Sequence, residues 1–407
     1  MPDIFIARQP IYDLDLRVEA YELLFRAGDG SRADVEDADA ATSIVLLNAF
    51  AEIGLEAIVG DRLAFINVSR RFLLEQYAMP LPTDRVVLEL LEDAVVDEQL
   101  TALMARLATS QYTIALDDFT YHPSLDPLID LAEIVKIDVL AHSREELARH
   151  VDLLSGREVR LLAEKVETYD EFERCKALGF ELFQGFFFCR PKTMTGRSVS
   201  SSRLATLRLV AELQAPHVDL DELEHVIGRD VGLSYKLLRY INSTFFALPR
   251  EVGSVRQALV LLGIVNVRRW ATLLALSAVD DKPEELMVTA LVRARMCELL
   301  AEAYREPDRD AYFTTGMFSV IDALMDQPMA EVLELLPLAG DLRHALLSRE
   351  GPKGDALLCV LAYERGELDE ARHRSLTGAQ LGELYLEAVA WATDASAGLK
   401  PSAVARS

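Results

Sequence analysis

The first 190 residues of this 407-residue chain alternate short apolar runs with longer amphipathic segments, and this alternation restricts the fold more than any other feature. It is typical of repeated β-α units. Eight runs are predicted as strands, at residues 5–8, 19–25, 64–68, 86–90, 113–116, 134–137, 160–163 and 181–183. Eight strands of this kind close most simply into a TIM-like (β/α)8 barrel, which places the domain in the α/β class.

The amphipathic segments predict helices between the strands, for example at residues 40–54, 97–110, 143–155 and 169–178. A complete barrel of this type usually takes about 250 residues. Because only 190 residues are available, we expect its outer helices to be few or shortened.

Polar or charged side chains stand at or near the ends of seven predicted strands. They are Glu22, Asn67, Glu89, Asp117 with Asp118, Lys136, Glu164 and Gln184. A single strand-end acid is most often a cap or a salt-bridge partner, but capping does not account for seven such positions. Because the carboxyl ends of barrel strands meet at one face, the sequence predicts that these residues share one pocket.

Asp117 and Asp118 are adjacent carboxylates in the stretch YTIALDDF, at residues 112–119. Such a pair is often only a turn and helix cap, but neighbouring carboxylates repel each other, and a divalent ion commonly relieves the repulsion. The five strand-end carboxylates and the Asn67 amide oxygen supply hard ligands for two Mg²⁺ or Mn²⁺ ions. Lys136 would orient the attacking water or neutralise developing charge. This chemistry predicts hydrolysis of a phosphate ester.

Seven segments resemble, in order, the motifs of the EAL-domain cyclic-di-GMP phosphodiesterases. They are YELLFR (21–26), FINVS (65–69), ELLE (89–92), LDDF (116–119), VKID (135–138), AEKVE (163–167) and FQGFFF (183–188). The resemblance implies that Glu22, Asn67, Glu89, Asp117 and Glu164 are metal ligands and that Asp118 serves the second ion. It also implies that Lys136, Glu167 and Gln184 support the attacking water and the substrate, and that Gln9 and Arg26 bind the substrate, Arg26 through a phosphate.

Two positions depart from the family pattern. The EAL motif reads Glu-Leu-Leu at residues 22–24, which keeps the ligand. In the family, the loop reads DDFGTGYSS. This chain keeps DDF at residues 117–119 but continues with Thr-Tyr-His-Pro-Ser at residues 120–124, so the glycines of the loop are absent. We therefore expect a weak second metal site and slow or absent turnover.

Residues 191–202 are polar and rich in Ser and Thr, which predicts a linker between a first domain at 1–190 and a second at 203–395. Apolar residues at helical spacing predict helices at 204–213, 220–227, 233–241, 255–262, 267–276, 288–303 and 381–392. The second domain is therefore expected to be an all-α bundle. Residues 396–407 are expected to form a flexible tail.

The segment from Gly232 to Trp270 resembles the HDOD domain, a relative of the HD metal-dependent phosphohydrolases. Those hydrolases need adjacent His and Asp as metal ligands, and none of the seven histidines here is followed by Asp. A regulatory or protein-binding role is therefore expected for this domain. The order of the two domains resembles the YuxH-type family of bacterial signalling proteins.

Composition favours a cytoplasmic protein. The chain has no run of about 18 apolar residues and no signal-peptide layout at its start. Its net charge of −24 disfavours direct nucleic-acid binding, and its four scattered cysteines argue against a disulfide framework or a zinc knuckle. The leading hypothesis is a cyclic-di-GMP phosphodiesterase, the alternative is a non-catalytic cyclic-di-GMP receptor or interaction scaffold, and homodimerisation stays open.

Overall fold

The structure is a computed structural model that describes residues 4–27, 54–70, 73, 81–90, 96–192, 201–215, 218–248, 250–279, 282–367, 371 and 375–399. The chain divides into two compact units. The first unit consists of Met1–Phe188 together with Ala362–Leu386. The second unit consists of Cys189–Leu361 and Glu387–Ser407.

Eight strands form a closed barrel in the first unit, in sequence order. They are β1 Ile4–Tyr12, β2 Val18–Ala27, β3 Leu63–Val68, β4 Val86–Leu90, β5 Thr113–Leu116, β6 Ile134–Asp138, β7 Arg160–Glu164 and β8 Leu182–Gln184. The predicted barrel is confirmed, and each predicted strand coincides with an observed one apart from a few residues at its ends.

Strand β1 departs from the regular pattern because it runs antiparallel to both of its neighbours, β2 and β8. All pairs from β2 onward to β8 are parallel. The cause is the short connection at residues 13–17, a turn in which the Asp13 backbone N–H donates to Arg17 O at 2.9 Å. Parallel strands need a crossover of a dozen or more residues, so this turn forces a reversal.

The described helices of the barrel region are α1 Leu55–Val59, α2 Glu98–Thr109, α3 Asp126–Ile129, α4 Arg144–Leu154 and α5 Tyr169–Leu178. Three of the four predicted helices correspond to α2, α4 and α5. The fourth, at residues 40–54, lies outside the described residues except for residue 54. Capping boxes begin α4 at Ser143 and α5 at Thr168.

One apolar residue from each strand fills the barrel interior. These eight form a single buried cluster: Ile11, Ala20, Phe65, Val87, Ala115, Ile134, Leu162 and Leu182. We call this cluster the apolar ring. It excludes water from the middle of the barrel and forms the floor beneath the candidate site.

The second unit is helical, as predicted. Its described helices are α6 Ser201–Leu213, α7 Leu220–Arg229, α8 Val231–Ile241, α9 Val255–Leu262, α10 Ile264–Leu276, α11 Glu284–Ala303, α12 Arg309–Phe318, α13 Ile321–Met325, α14 Met329–Glu334, α15 Gly340–Leu347, α16 Gly351–Glu364 and α17 Gly378–Leu399. The chain passes into the first unit at the end of α16 and leaves it within α17. Helix α17 continues to Leu399, four residues into the segment expected to be a tail.

Close helix packing and an aromatic cluster organise the second unit. A Cβ added at Gly316 of α12 would lie 2.3 Å from Arg293 O of α11, so only glycine allows these helices to approach so closely. The aromatic cluster consists of Tyr240, Phe245, Phe246, Trp270, Phe313 and Trp391. In the part of the chain that is described, no helix is both long and apolar enough to cross a membrane.

Candidate active site

A ring of polar side chains lies one layer above the apolar ring. Each member is two residues from an apolar-ring residue of the same chain segment, so by strand alternation it also points into the barrel. The eight members are Gln9, Glu22, Asn67, Glu89, Asp117, Lys136, Glu164 and Gln184. We call them the polar layer. The sequence assigned a role to every one of them.

Lys136 on β6 is the cation of the polar layer and is completely buried. Its Nζ lies 2.7 Å from Glu89 Oε1, 2.7 Å from Asp117 Oδ1 and 2.9 Å from Glu164 Oε1. Glu22 Oε2 lies farther away, at 3.6 Å. Four carboxylates therefore face one ammonium group, which leaves three negative charges uncompensated when all of them are ionised. Uncompensated charge is costly in a buried site.

A chain of amide–carboxylate hydrogen bonds occupies one side of the layer. Gln184 Nε2 donates to Gln9 Oε1 at 3.0 Å and to Glu22 Oε2 at 2.5 Å. Asn67 Nδ2 donates to Glu22 Oε1 at 3.0 Å. These bonds fix the orientation of Glu22 and link strands β1, β2, β3 and β8 through their side chains.

Backbone packing sets Gln184 against the turn that follows Glu164. The Val166 backbone N–H donates to Gln184 O at 2.9 Å. Gly185 follows with φ +147°, and a Cβ at this position would lie 2.0 Å from Val166 O. Glycine is therefore required for this close approach, and it holds the ends of β7 and β8 in register.

The charges of the polar layer shift its pKa values in different directions. Burial, aided by Glu22 and Asp117, raises the pKa of Glu89 well above its usual value despite Lys136. Burial also raises the pKa of Asp117, and it raises that of Glu164 to about 8. For Glu22, burial acts to raise the pKa, but Lys136 and the bonds from Gln184 and Asn67 outweigh it and lower the pKa. Without a metal ion, the layer therefore retains protons near neutral pH.

The donor set of the polar layer suits a hard divalent cation. Four of its buried oxygens have neither a hydrogen bond nor an ion pair with Lys136 among the described residues: Asn67 Oδ1, Glu89 Oε2, Glu164 Oε2 and Gln184 Oε1. In the same part of the chain, no three acidic, His or Cys side chains are already arranged so that they could hold a metal ion. Lys136 Nζ lies between the carboxylates that would do so. The oxygens therefore fit an ion, provided that the lysine or the carboxylates shift to admit it.

Three predicted residues lie outside the polar layer. Asp118 follows Asp117 with φ +40°, and its side chain is 42% exposed. Glu167 is exposed beyond β7, and its backbone N–H donates to Glu171. Arg26 lies on β2 opposite Phe5, but its side chain is outside the described residues. The roles predicted for these residues, and for the eight members of the layer, stay predictions.

Lys165 was not assigned a role, although it stands within the AEKVE motif. It has φ +55°, and its Nζ lies 2.6 Å from Asp138 Oδ2 and 3.7 Å from Asp118 Oδ1. A lysine between two motif acids is a sequence signal of such a cation, but the contacts depend on the left-handed turn at Lys165. Sequence spacing does not reveal that turn.

The pKa of Glu164 predicts how stability depends on pH in the presence of a chelator. The folded-state pKa of Glu164, about 8, lies above the ordinary value of 4.5, so the protonated side chain stabilises the folded state. This contribution is fully present below pH 4.5 and is lost as the pH rises through about 8. We expect the melting temperature to fall by about 5 °C between pH 6 and pH 8.5. Thermal unfolding with EDTA measures this fall.

Glu164→Gln should flatten this profile and raise the melting temperature at pH 8.5, because the amide has no proton to lose. Glu145→Gln on the exposed face of α4 is the matched control and should leave the slope unchanged. Equal slopes for wild type and Glu164→Gln would contradict the assignment of a proton to Glu164.

Comparisons with known proteins agree with the order of the two units. The EAL domain model matches residues 3–191, and the HDOD domain model matches residues 203–334. Cyclic di-GMP phosphodiesterase CdgJ of Vibrio cholerae is 35% identical over 399 residues, which cover 96% of this chain and 92% of the relative. The uncharacterized protein YuxH of Bacillus subtilis is 32% identical over 399 residues, which cover 95% and 98%.

Solved structures with EAL domains are also similar. Klebsiella pneumoniae BlrP1, in complex with calcium and cyclic-di-GMP, is 22% identical with a TM-score of 0.38 and covers 47% of this chain and 56% of that chain. Bacillus subtilis YkuI, in complex with cyclic-di-GMP and calcium, is 21% identical with a TM-score of 0.37 and covers 64% and 72%. The two relatives that match over nearly their whole length, rather than these structures, establish the relationship. CdgJ and YuxH are similar to this chain over nearly their whole length, and the chain belongs to the family of proteins with an EAL domain followed by an HDOD domain.

Proposed function

We propose that this protein is a cyclic-di-GMP phosphodiesterase that hydrolyses the cyclic dinucleotide to linear pGpG with divalent ions, Mg²⁺ or Mn²⁺. The observation that carries the proposal is the polar layer, in which four carboxylates surround one buried lysine and an asparagine amide donates to one of them. The relative CdgJ, which bears the name of a cyclic di-GMP phosphodiesterase, supports the choice of substrate.

The metal ions would be held by Glu22, Asn67, Glu89, Asp117 and Glu164. When bound, they would lower the pKa of a water molecule and neutralise charge on the phosphodiester. Since metal ligands must be deprotonated, binding of the ions should release the protons that burial keeps on Glu89 and Glu164.

The remaining polar-layer residues would position the water and the substrate. Lys136 stays charged because, although burial opposes it, its carboxylate neighbours raise its pKa well above the usual value. It would place a positive charge beside the reacting phosphate. The Gln184 amide is oriented by its bonds to Gln9 and Glu22, so its Oε1 would accept a hydrogen bond from the attacking water. Gln9 would contact the substrate.

The second ion is proposed to bind weakly at Asp118. The Lys165 ammonium group lies 3.7 Å from Asp118 Oδ1 and would repel a divalent ion there. The replaced loop at residues 120–124 acts in the same direction. This contact also favours the alternative function, a cyclic-di-GMP receptor that binds the nucleotide without hydrolysing it.

Incubation of the full chain with cyclic-di-GMP and Mn²⁺ tests the proposal. Chromatography should show linear pGpG with Mn²⁺ or Mg²⁺ and none with EDTA. Tight binding of cyclic-di-GMP without product at a saturating metal concentration would mean that the protein is a receptor and not an enzyme. Absence of both binding and product would leave an interaction scaffold.

Arg26→Ala should weaken cyclic-di-GMP binding about 10-fold or more, whether the protein is an enzyme or a receptor, because a charged contact to phosphate precedes any chemistry. Calorimetry in Ca²⁺ or EDTA measures this affinity. Arg17→Ala at the exposed turn between β1 and β2 is the control for loss of one positive charge. Equal affinity for wild type and Arg26→Ala would remove Arg26 from the substrate site.

The other predictions concern binding by the second unit and assembly. The protein partner of the helical unit, the absence of direct nucleic-acid binding and homodimerisation all stay predictions. Glu167 likewise keeps its predicted role in supporting the substrate.

A further inference from the structure

The hydrogen-bond chain of the polar layer continues beyond the barrel strands. Gln9 Nε2 donates to the backbone carbonyl of Glu364 at 3.4 Å. Gln9 Oε1 accepts from Gln184, which in turn donates to Glu22. A residue from the end of α16, more than 350 positions away in sequence, is therefore the first link in a chain that ends on a predicted metal ligand.

Two tyrosines of the same segment bind the backbone of β1. Tyr363 Oη donates to Ile6 O at 3.1 Å, and the Arg8 backbone N–H donates to Tyr385 Oη at 3.4 Å. Both tyrosine side chains are buried, and their ring centroids lie 4.8 Å apart. Because the rings pack against each other, they order the two ends of the segment as one body against the strand.

The position of β1 explains why it needs this support. The turn at residues 13–17 replaces the helix that would otherwise follow the strand and cover its outer side. Ile6 and Arg8 alternate with Gln9, so they face away from the barrel interior. On that side, the Arg8 guanidinium stacks on Tyr21, with Cζ 4.3 Å from the ring centroid, and donates to Ile58 O. Strand β8 pairs with β1 only at Ile11 and Tyr12, so the two tyrosines bind backbone groups of Ile6 and Arg8 in a part of β1 that β8 does not pair with.

We infer that residues 362–367 and 375–386 are a positioning element of the active site: they hold β1, and the Glu364 carbonyl orients the Gln9 amide toward the substrate and Gln184. The inference rests on the proposed function in that Gln9 contacts cyclic-di-GMP. The helices that carry the element, α16 and α17, have their other ends in the helical unit.

The element acts on substrate binding more than on the chemical step. Among the described residues, the Gln9 side chain bonds to Glu364 and Gln184, whereas Glu89, Asp117 and Glu164 bond to Lys136 on the other strands. Loss of the tyrosine hydroxyls should therefore raise KM and the Kd for cyclic-di-GMP more than it lowers kcat, because Gln184 keeps its bond to Glu22.

Tyr363→Phe and Tyr385→Phe, combined in the full chain, remove both hydroxyls and keep the ring packing. We expect a five- to tenfold weaker affinity for cyclic-di-GMP and less than a twofold change in kcat. Tyr240→Phe is the matched control, because Tyr240 Oη donates to Ala395 O at 3.1 Å within the second unit. Equal affinities for the double variant and wild type, or an equal loss in the control, would overturn the inference.

A double-mutant cycle with Gln9→Ala separates positioning from general destabilisation. If the element acts through Gln9, the two tyrosine substitutions should have no further effect on affinity in the Gln9→Ala background. Additive losses would mean that the segment stabilises the barrel without orienting Gln9, and that result overturns the positioning role.

Hydrogen exchange decides the inference even if the proposed function fails. In the double variant, the Arg8 amide should exchange about tenfold faster than in wild type, whereas Tyr240→Phe should not change it. If wild type binds no cyclic-di-GMP but the Arg8 amide still exchanges faster in the double variant, only the proposed function is refuted. Unchanged exchange at residues 6–9 would refute the element itself.

Discussion

Asp117→Asn is expected to lower the rate of cyclic-di-GMP hydrolysis at least about 100-fold while the protein stays folded. Asp117 Oδ1 lies 2.7 Å from Lys136 Nζ, among the carboxylates that would hold an ion. The amide keeps the volume but removes a ligand charge, so both the ion and the charge it provides in the transition state are lost. The measurement is the initial rate of pGpG formation over a Mn²⁺ titration.

Stability provides the internal check on this variant. Burial raises the pKa of Asp117, so the folded state disfavours its ionised form. The neutral Asn should therefore leave the melting temperature in EDTA equal or higher at pH 8 and should reduce the stabilisation by Mn²⁺. Asp15→Asn on the exposed turn is the matched control and should change neither property. Unchanged turnover in Asp117→Asn would mean that the ions bind elsewhere.

Lys136→Met should have the largest effect on stability in the absence of metal. Lys136 is completely buried, and three carboxylate oxygens lie within 2.9 Å of its Nζ. Removing the only cation from a buried charge cluster costs about 3–5 kcal/mol. We expect the melting temperature in EDTA to fall by roughly 10 °C at pH 8, and to fall less at pH 5.5, where Glu164, with its pKa of about 8, is protonated.

Divalent ions should restore much of this lost stability, because they can neutralise the carboxylates that the lysine leaves behind. Lys176→Met is the matched control, since its Nζ donates to Leu14 O at 3.0 Å on the surface and lies 5.7 Å from the centroid of the Phe172 ring. It should shift the melting temperature by no more than about 2 °C. Equal melting temperatures for wild type and Lys136→Met in EDTA would show that the cluster does not carry the charges assigned to it.

The barrel could be predicted because each strand is short, apolar and bounded by turn residues. Strand β5, for example, was predicted at its observed bounds, Thr113–Leu116. The antiparallel direction of β1 was not predicted, although the shortness of the connection at residues 13–17 carries that information. In the helical unit, the five helices α12 to α16 were not among the predicted ones. The residues of α12 and α16 are apolar around most of the circumference of the helix and show no clear stripe.

The polar layer could be predicted because strand ends in a barrel meet at one face, so residues as far apart as Gln9 and Gln184 come together. The charge balance of the polar layer could not be predicted from the sequence, because the distances between Lys136 and the carboxylates depend on packing. The contact of Glu364 with Gln9 could not be predicted either. No periodicity or spacing links residue 364 to the first strand, and the contact arises only when the chain returns to the first unit.

The position of a bound ion tests the central claim most directly. Crystals of the full chain grown with Mn²⁺ can be measured at the manganese absorption edge, where anomalous scattering locates the ion. We predict a peak inside the barrel, with oxygens of Glu89, Asp117 and Glu164 about 2.1 Å from it. A Mn²⁺ peak outside the polar layer, or an empty layer in protein that still forms pGpG with Mn²⁺, would contradict the account.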